Sequence, residues 1–428
     1  MSKSHIFEAA EKVPTAWYNI NADLPMDLPL PLPNETDHAI ADDGTYPKEI
    51  IETAFLSKDR WIPIPEEIWN LYRSWRPTPL LRAERLEKKL NTPAKLYFKY
   101  EGASPCGSHK LNGSIPQAYY ARKEGFTGIA TPTGGQWGTA FAWSCRLFGF
   151  DPVIFMMRQS ACHRPARIDF MNLLQGNVII SPSFQTAYGR SILKNYPDHP
   201  GSLAIATSEV REFVAERPGY SHARGELLHQ TVSGIEAKEQ LDELGEYPDV
   251  IIACTGFGSN FSGIAFPFFM DILNGESRPD IIAVEPKAVP VFSDGEFKYD
   301  YADSMKSTVR IKAYTLGCEY NPPPIHAGGL RFGTRNTTMS ALYDQRLFSV
   351  LTYTERESLE AGLEFMRAEG VVPATESAYA IKAAIDKAIE CREERSAKTI
   401  LTNLSGNGYF DLLAYQELVD GLLPNAGY

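Results

Sequence analysis

From Pro79 onward, short apolar runs rich in β-branched residues alternate with stretches whose apolar residues recur at helical spacing. The segments "AKLYFKYEG", "GIATPT", "PVIFMMR" and "NVIISP" read as strands. Helices are predicted from about Asn112 to Lys123, Trp137 to Phe148 and Ile168 to Leu174. Farther along, "PDVIIACTG", "PDIIAVEP" and "KTILTNLSG" are nearly continuous apolar runs, each closing on glycine or proline. That texture belongs to strands buried on both faces of a parallel sheet. Strands alternating with helices predict an α/β fold. Ligands in such folds sit beyond the carboxyl ends of the strands, so the strand-to-helix turns are where chemistry is expected.

The first 60 residues have a different texture. "DLPMDLPLPLPNETDHAIADDGTYP" is rich in Pro and Asp and predicts an extended arm packed on the body. A chain of 428 residues is long enough for two domains, and no repeat of fixed period stands out. The texture divides it into residues 1–60 as the arm, 61–245 as an N-terminal α/β domain and 246–428 as a C-terminal one. Apolar residues at 43% and charged residues at 22% are ordinary for a globular protein. A formal charge of −11 argues against a nucleic-acid partner, which would call for a basic stripe. There is no run of 18 apolar residues, so no membrane partner is expected, and "MSKSHIFEAAEK" lacks an apolar signal core. The expected location is cytoplasmic. The six cysteines form no CxxC pair and are expected to be buried small hydrophobes, with neither a disulfide framework nor a metal site.

Several turns carry chemistry-bearing residues. In "EGASPCGSHKLNGS", Lys110 precedes a helix start, where the dipole favours a neutral, nucleophilic amine. In "CTGFGSNFSG", a buried strand ends in a glycine-rich turn that can cradle a phosphate on backbone N–H groups. "GIATPTGGQWGTA" is a second such turn and offers an anion site without any acid, base or cation. "TNLSGNG" places Ser405 at a strand end, and "EGVVPATESAYAI" places Glu376 and Ser377 at a helix start. Taken singly, each reads equally as a surface lysine, a plain turn or a helix cap.

In order, "RPTPLLRAERL", "KYEGASPCGSHKLN", "GQWGTA", "LLHQTVSGIEAKEQL", "GSNFSGIAFPF", "PPPIHAGGLR", "EGVVPATESA" and "LSGNG" resemble the β-subunit family of tryptophan synthase, in its longer stand-alone second type. The resemblance runs from about Trp61 to the end. It implies a fold-type II pyridoxal 5'-phosphate (PLP) enzyme made of two three-layer αβα domains, with some strand exchange and the cofactor between them. By that resemblance, Lys110 is the Schiff-base lysine and His109 the phosphate-side histidine, with Asn112 beside the cofactor. Gly256, Phe257, Gly258, Ser259 and Asn260 match the phosphate cup, and Thr186 a further phosphate contact. Ser405 matches the residue facing the pyridine nitrogen, and Glu376 the acid at the ring's hydroxyl edge. Thr133, Gly134, Gly135, Gln136 and Trp137 match the loop that binds the α-carboxylate of an amino acid. A neutral serine beside the ring nitrogen suits β-elimination and β-replacement. The resemblance also implies amino-acid and nucleophile substrates and a homodimer, and the family often has a monovalent-cation site. An α-subunit partner stays open.

The chain departs from the family pattern in three places. Aligned without a gap, Thr131 stands where the pattern carries the glutamate that handles the indole ring proton; a one-residue shift would put Pro132 there, and neither is an acid. Phe257 replaces a middle glycine of the phosphate cup. Gly333-Thr334-Arg335-Asn336 replaces a Tyr/His-Gly-Met-Ala-Pro run, and Arg335 is either a surface residue or a contact for an anionic group of the substrate. These departures leave three readings. One is β-replacement on a serine-like donor (serine, O-phosphoserine or threonine) by a nucleophile other than plain indole. Another is tryptophan synthesis with the proton shuttled by Glu101 or water, or an ammonia-lyase that stops halfway. The third is a silent paralogue acting as a partner subunit.

Overall fold

The β-branched runs form strands where the hydrophobic pattern places them, and the chain folds around two sheets. The computed structural model describes residues 12–35, 44–224, 227–277 and 279–424. The larger sheet has six strands in the order Ser349–Tyr353, Asp280–Pro286, Val250–Cys254, Thr399–Leu404, Lys95–Tyr100 and Leu80–Arg82. All its neighbours are parallel except the last pair. The smaller sheet is wholly parallel, in the order Asn177–Ser181, Val153–Met157, Gly128–Thr133 and Tyr220–His222.

Alternation along the buried strands fills two cores. One face of the larger sheet turns Leu96, Phe98, Ile252, Val284 and Ile400 toward Ala380, Ile381 and Ala384 of the long helix Thr375–Glu394. The opposite face turns Tyr97, Ile251, Ala253, Ile281 and Leu401 toward Phe261, Ala265 and Phe268 of the helix Ser259–Leu273. This is the period-2 division expected of a doubly covered sheet. The smaller sheet packs in the same way against the helices Leu111–Lys123, Gln136–Leu147 and Leu203–Ala215.

Sheet membership does not follow the chain. Lys95–Tyr100 precedes the strands of the smaller sheet, yet it pairs with Thr399–Leu404 in the larger one. That pairing sets the turn carrying Lys110 beside the turn carrying Ser405: the His109 N–H donates to the Ser405 carbonyl at 2.9 Å, and Ser108 bridges to Gly406.

The N-terminal segment corrects the expectation of a uniformly extended arm. Ala16–Tyr18 pairs antiparallel with Trp61–Pro63, and Lys48–Ile50 continues into a π-helical turn at Ile51–Leu56. Trp17, Tyr18 and Ile50 are fully buried, so the segment completes the core. Arm residues 1–11 and 36–43 lie outside the described residues. The third predicted helix begins earlier, as Pro165–Leu173, with proline at its start. The hairpin Glu296–Tyr301 and Arg310–Thr315 was hidden by its mixture of charged and aromatic residues. Five cysteines are buried and Cys162 is exposed, all of them free. Among the described residues no helix is long and apolar enough to cross a membrane.

Candidate active site

The strand Lys95–Tyr100 ends, the chain turns through Glu101–Ala103, and Lys110 caps the helix Leu111–Lys123. Its Nζ donates to Ser259 Oγ at 2.6 Å, across the cleft from the neighbouring turn. Burial brings the amine pKa down to about 8, against the opposing pull of Glu376 and Cys254. Desolvation, more than the helix dipole, is therefore what favours the neutral amine. His109 is buried to 4% exposure, and burial followed by the charge of Lys110 brings its pKa down to about 3. The ring is neutral. Its Nδ1 faces the Ser405 carbonyl at 2.9 Å, and a carbonyl can only accept, so Nδ1 carries the hydrogen. Nε2, 3.2 Å from Ser259 Oγ, is left as an acceptor for that hydroxyl. Lys110, Ser259 and His109 thus form one directed chain of donors.

The turn after Val250–Cys254 is shaped by glycine for two reasons. A Cβ on Gly256 would lie 2.1 Å from the Gly329 carbonyl oxygen, closer than any side chain permits. Gly258 has φ of +132°, a backbone conformation that L side chains rarely adopt, and it opens the helix Ser259–Leu273. The first N–H groups of that helix have no intrahelical acceptor and form a ready anion seat. Asn260 braces the turn, donating to the Cys254 carbonyl at 3.0 Å and accepting from Asn403 at 2.8 Å. Phe257 fits because its ring packs against Phe332 while its own carbonyl accepts from the Asn336 N–H at 3.1 Å. Ser405 is buried, with Oγ 2.9 Å from Ser377 Oγ, and burial pushes the adjacent Cys254 thiol up to about 12. The side chains that Ser405 touches, Ser377 and Cys254, are accordingly neutral. A lysine with a depressed pKa, a glycine cradle that a Cβ would fill, and a helix start with Ser and Asn together fit a phosphate-bearing aldehyde cofactor.

Opposite, the strand Gly128–Thr133 runs into Gly134, Gly135 and the helix Gln136–Leu147. Thr133 Oγ1 accepts from the N–H groups of Gly135 at 2.9 Å and Gly138 at 2.8 Å. This narrows the expected carboxylate seat, since the Gly135 N–H is already taken. Gln136 and Trp137 occupy the first helical turn, where N–H groups lack intrahelical partners. The Gln136 side chain donates to Glu376 at 2.8 Å, and the Trp137 indole donates to Thr131 Oγ1 at 2.6 Å. Thr131 in turn donates to the Ala223 carbonyl at 2.8 Å.

Glu376 accepts from Gln136, from the Gly329 N–H at 2.8 Å and from Arg164 at 3.1 Å. Burial alone would raise its pKa. Arg164 and the Gly329 N–H outweigh burial and hold it well below the usual carboxylate range.

Four residues singled out in the sequence are engaged by the scaffold. Arg335 is neither exposed nor turned to a substrate. It is fully buried and pairs with Glu285 at 2.7 Å. Thr186 caps the helix Ala187–Asn195, accepting from the Gly189 N–H at 3.0 Å and donating to Glu209 at 2.8 Å, so its hydroxyl is committed within its own domain. Asn112 donates to Glu101 at 2.9 Å and Ser233 at 3.1 Å, bracing the scaffold under the lysine turn. Glu101 is clamped by Arg76 at 2.9 Å and Thr78 at 2.7 Å, which ties its carboxylate into the scaffold. Arg164, Arg167 and Asp411 carry no local signal in the sequence. Arg164 Nε lies 3.1 Å from Asp411 and Arg167 lies 3.4 Å from it, all three buried behind the carboxylate loop. Only the fold brings these residues together, and "HRPARI" carries no signal beyond a helix start.

The model of the family described as "Pyridoxal-phosphate dependent enzyme" matches residues 71–406. Over 432 residues the chain is 44% identical to tryptophan synthase beta chain 2 of Methanosarcina mazei, covering 99% of this chain and 98% of that one. It is 46% identical over 424 residues to the protein of the same name from Pyrococcus abyssi, covering 97% and 96%. Among solved structures, a hydrogen sulfide-producing enzyme from Fusobacterium nucleatum superposes with a TM-score of 0.56 at 20% identity, over 81% of this chain and 99% of that one. That likeness speaks to the fold alone.

Proposed function

Because the chain belongs to the pyridoxal-phosphate-dependent enzymes, in the branch of the second-type tryptophan synthase β chains, we infer that it performs β-replacement on a serine-like amino acid with a nucleophile other than plain indole. When bound, the cofactor supplies the electron sink that renders the donor's Cα–H acidic. The protein supplies placement and proton handling. The neutral fraction of Lys110 takes up the Cα proton and returns it, with Ser259 and His109 holding the amine in line. The N–H groups of Gln136 and Trp137, at a helix start, hold the donor's carboxylate. Gly256 to Asn260 would hold the cofactor phosphate, and the neutral Ser405 does not enforce a protonated ring nitrogen.

One observation carries the choice of nucleophile. Thr131 stands where the family pattern has its acceptor-side glutamate, and its hydroxyl is committed on both sides: it accepts from Trp137 and donates to Ala223. No carboxylate is present there to take a proton from a ring N–H. A carbon acid, a thiol or a phenol-type ring has no ring N–H to lose, and its own more acidic proton can leave to water. The names of the relatives favour a second reading, tryptophan formation from indole and serine. With Glu101 clamped, that reading depends on water as the shuttle.

Mass spectrometry of products tests this, with serine, O-phosphoserine and threonine each fed against thiols, phenols, carbon acids and indole. The expected result is an adduct at Cβ with a non-indole nucleophile, reduced by Thr131→Glu. If tryptophan dominates and Thr131→Glu raises its yield, the second reading replaces the first. Release of a keto acid alone, with every nucleophile, would make the protein an ammonia-lyase.

A further inference from the structure

We propose that Arg164 is a positioning residue that locks Glu376 and the Gly134–Gly135 loop into one unit, so that the seat for the donor's carboxylate and the acid beside the cofactor ring are set by a single guanidinium. The proposal rests on the reading of Lys110 as the cofactor lysine.

Arg164 stands at the junction of the helices Arg158–His163 and Pro165–Leu173, on the side of the smaller sheet. Its guanidinium is 2% exposed, and each nitrogen has a partner. Nε pairs with Asp411 at 3.1 Å, and Nη1 donates to the Gly134 carbonyl at 3.3 Å. Nη2 donates to Thr375 Oγ1 at 2.8 Å, to Glu376 Oε1 at 3.1 Å and to the His326 carbonyl. Thr375 and Glu376 open the helix packed on the larger sheet and Asp411 follows its strand Thr399–Leu404, so one side chain bridges the two halves of the site. The loop rides directly on it: a Cβ on Gly135 or Gly328 would come within 3.2 Å of Nη1. A guanidinium spreads five N–H donors over a rigid planar fork and reaches partners several ångströms apart, where an ammonium is a compact point charge with three donors on one atom.

The charges balance in place. Two buried cations, Arg164 and Arg167, meet two buried anions, Glu376 and Asp411. Lys110 is the other cation whose charge acts on Glu376, and His109, Cys254, Tyr379 and Tyr415 are titratable neighbours that are neutral near pH 7. Arg164 is the cation that touches the carboxylate itself. Loss of its charge frees Glu376 to take up a proton, and loss of its fork frees Gly134 to move. These are separable effects on the ring environment and on donor binding.

The test uses the cofactor-loaded enzyme and its Arg164→Lys, Arg164→Gln and Arg164→Gln/Glu376→Gln variants. The visible band of the bound cofactor is followed from pH 5 to pH 8, alongside donor KM and kcat. In the wild type the band is independent of pH. In Arg164→Gln it shifts with pH, and the added Glu376→Gln abolishes that titration. Arg164→Lys keeps the charge and the flat band, yet it raises donor KM about tenfold while kcat changes less than about threefold, as loss of a charge-assisted hydrogen bond to the loop requires. The proposal is overturned if variants that retain cofactor show wild-type KM and a flat band, with only thermal stability reduced. If Arg164→Gln does not fold, Arg164→Lys decides alone, and an unchanged donor KM refutes the proposal. A wild type with no Lys110-dependent band overturns the cofactor reading and this proposal together. A wild-type band with unperturbed variants overturns this proposal only.

Discussion

The depressed pKa of Lys110 makes a quantitative prediction about how the protein takes up its cofactor. Burial disfavours the ammonium form, so the amine titrates near 8 in place of the ordinary 10.5. At pH 7 an amine of pKa about 8 is neutral in roughly one molecule in ten, whereas an ordinary lysine is neutral in about one in 3,000. The site therefore presents roughly 300-fold more nucleophile at neutral pH than an exposed lysine would. Protein stripped of cofactor should capture added pyridoxal phosphate covalently at a rate that climbs about tenfold per pH unit below the break near pH 8 and flattens above it. Stopped-flow absorbance of the developing visible band measures that rate, and Lys110→Arg should show no covalent capture. Glu376 opposes the shift, so Glu376→Gln should move the break to lower pH. A rate that keeps climbing past pH 10, or a break that Glu376→Gln moves upward, would refute the assignment of burial as the cause.

Two further predictions concern the scaffold of the site. Gly256→Ala would place a methyl group 2.1 Å from the backbone oxygen of Gly329, so the turn and the Gly328–Leu330 segment must separate. Overpacking of this kind costs about 1–3 kcal/mol, and equilibrium dialysis should show cofactor affinity weakened by about ten- to a hundredfold. Arg335→Gln leaves the buried Glu285 without its cation and should destabilise the protein by about 3–5 kcal/mol in denaturant unfolding, with donor KM unchanged in the folded fraction. Adding Glu285→Gln should recover part of the loss. A raised donor KM at unchanged stability would return Arg335 to the substrate site.

What was legible from the sequence is what local backbone demands decide. A buried parallel strand needs a run of β-branched residues, and a phosphate turn needs glycine where a Cβ cannot go. The strands at Val250–Cys254 and Thr399–Leu404 and the turn at Gly256 to Gly258 could therefore be read from the chain. Charged side chains could not, because their fate depends on which distant carboxylate the fold delivers. Arg164 meets Glu376 across 212 positions, Arg335 meets Glu285 across 50, and nothing local distinguishes either from a surface arginine. Even Lys110 owes its environment to a pairing of Lys95–Tyr100 with a strand some 300 residues later. Thr131 shows the two kinds of information combining. By resemblance to the family pattern, the sequence has threonine where the acceptor-side glutamate is expected. The structure shows the threonine hydroxyl holding the indole N–H of Trp137 and bonded to Ala223. On the reading proposed above, the change is an exchange of roles, in which a group able to move protons is replaced by a hydroxyl that holds the Trp137 indole. Under that reading, a site altered in this way would select its second substrate by shape and by that substrate's own acidity.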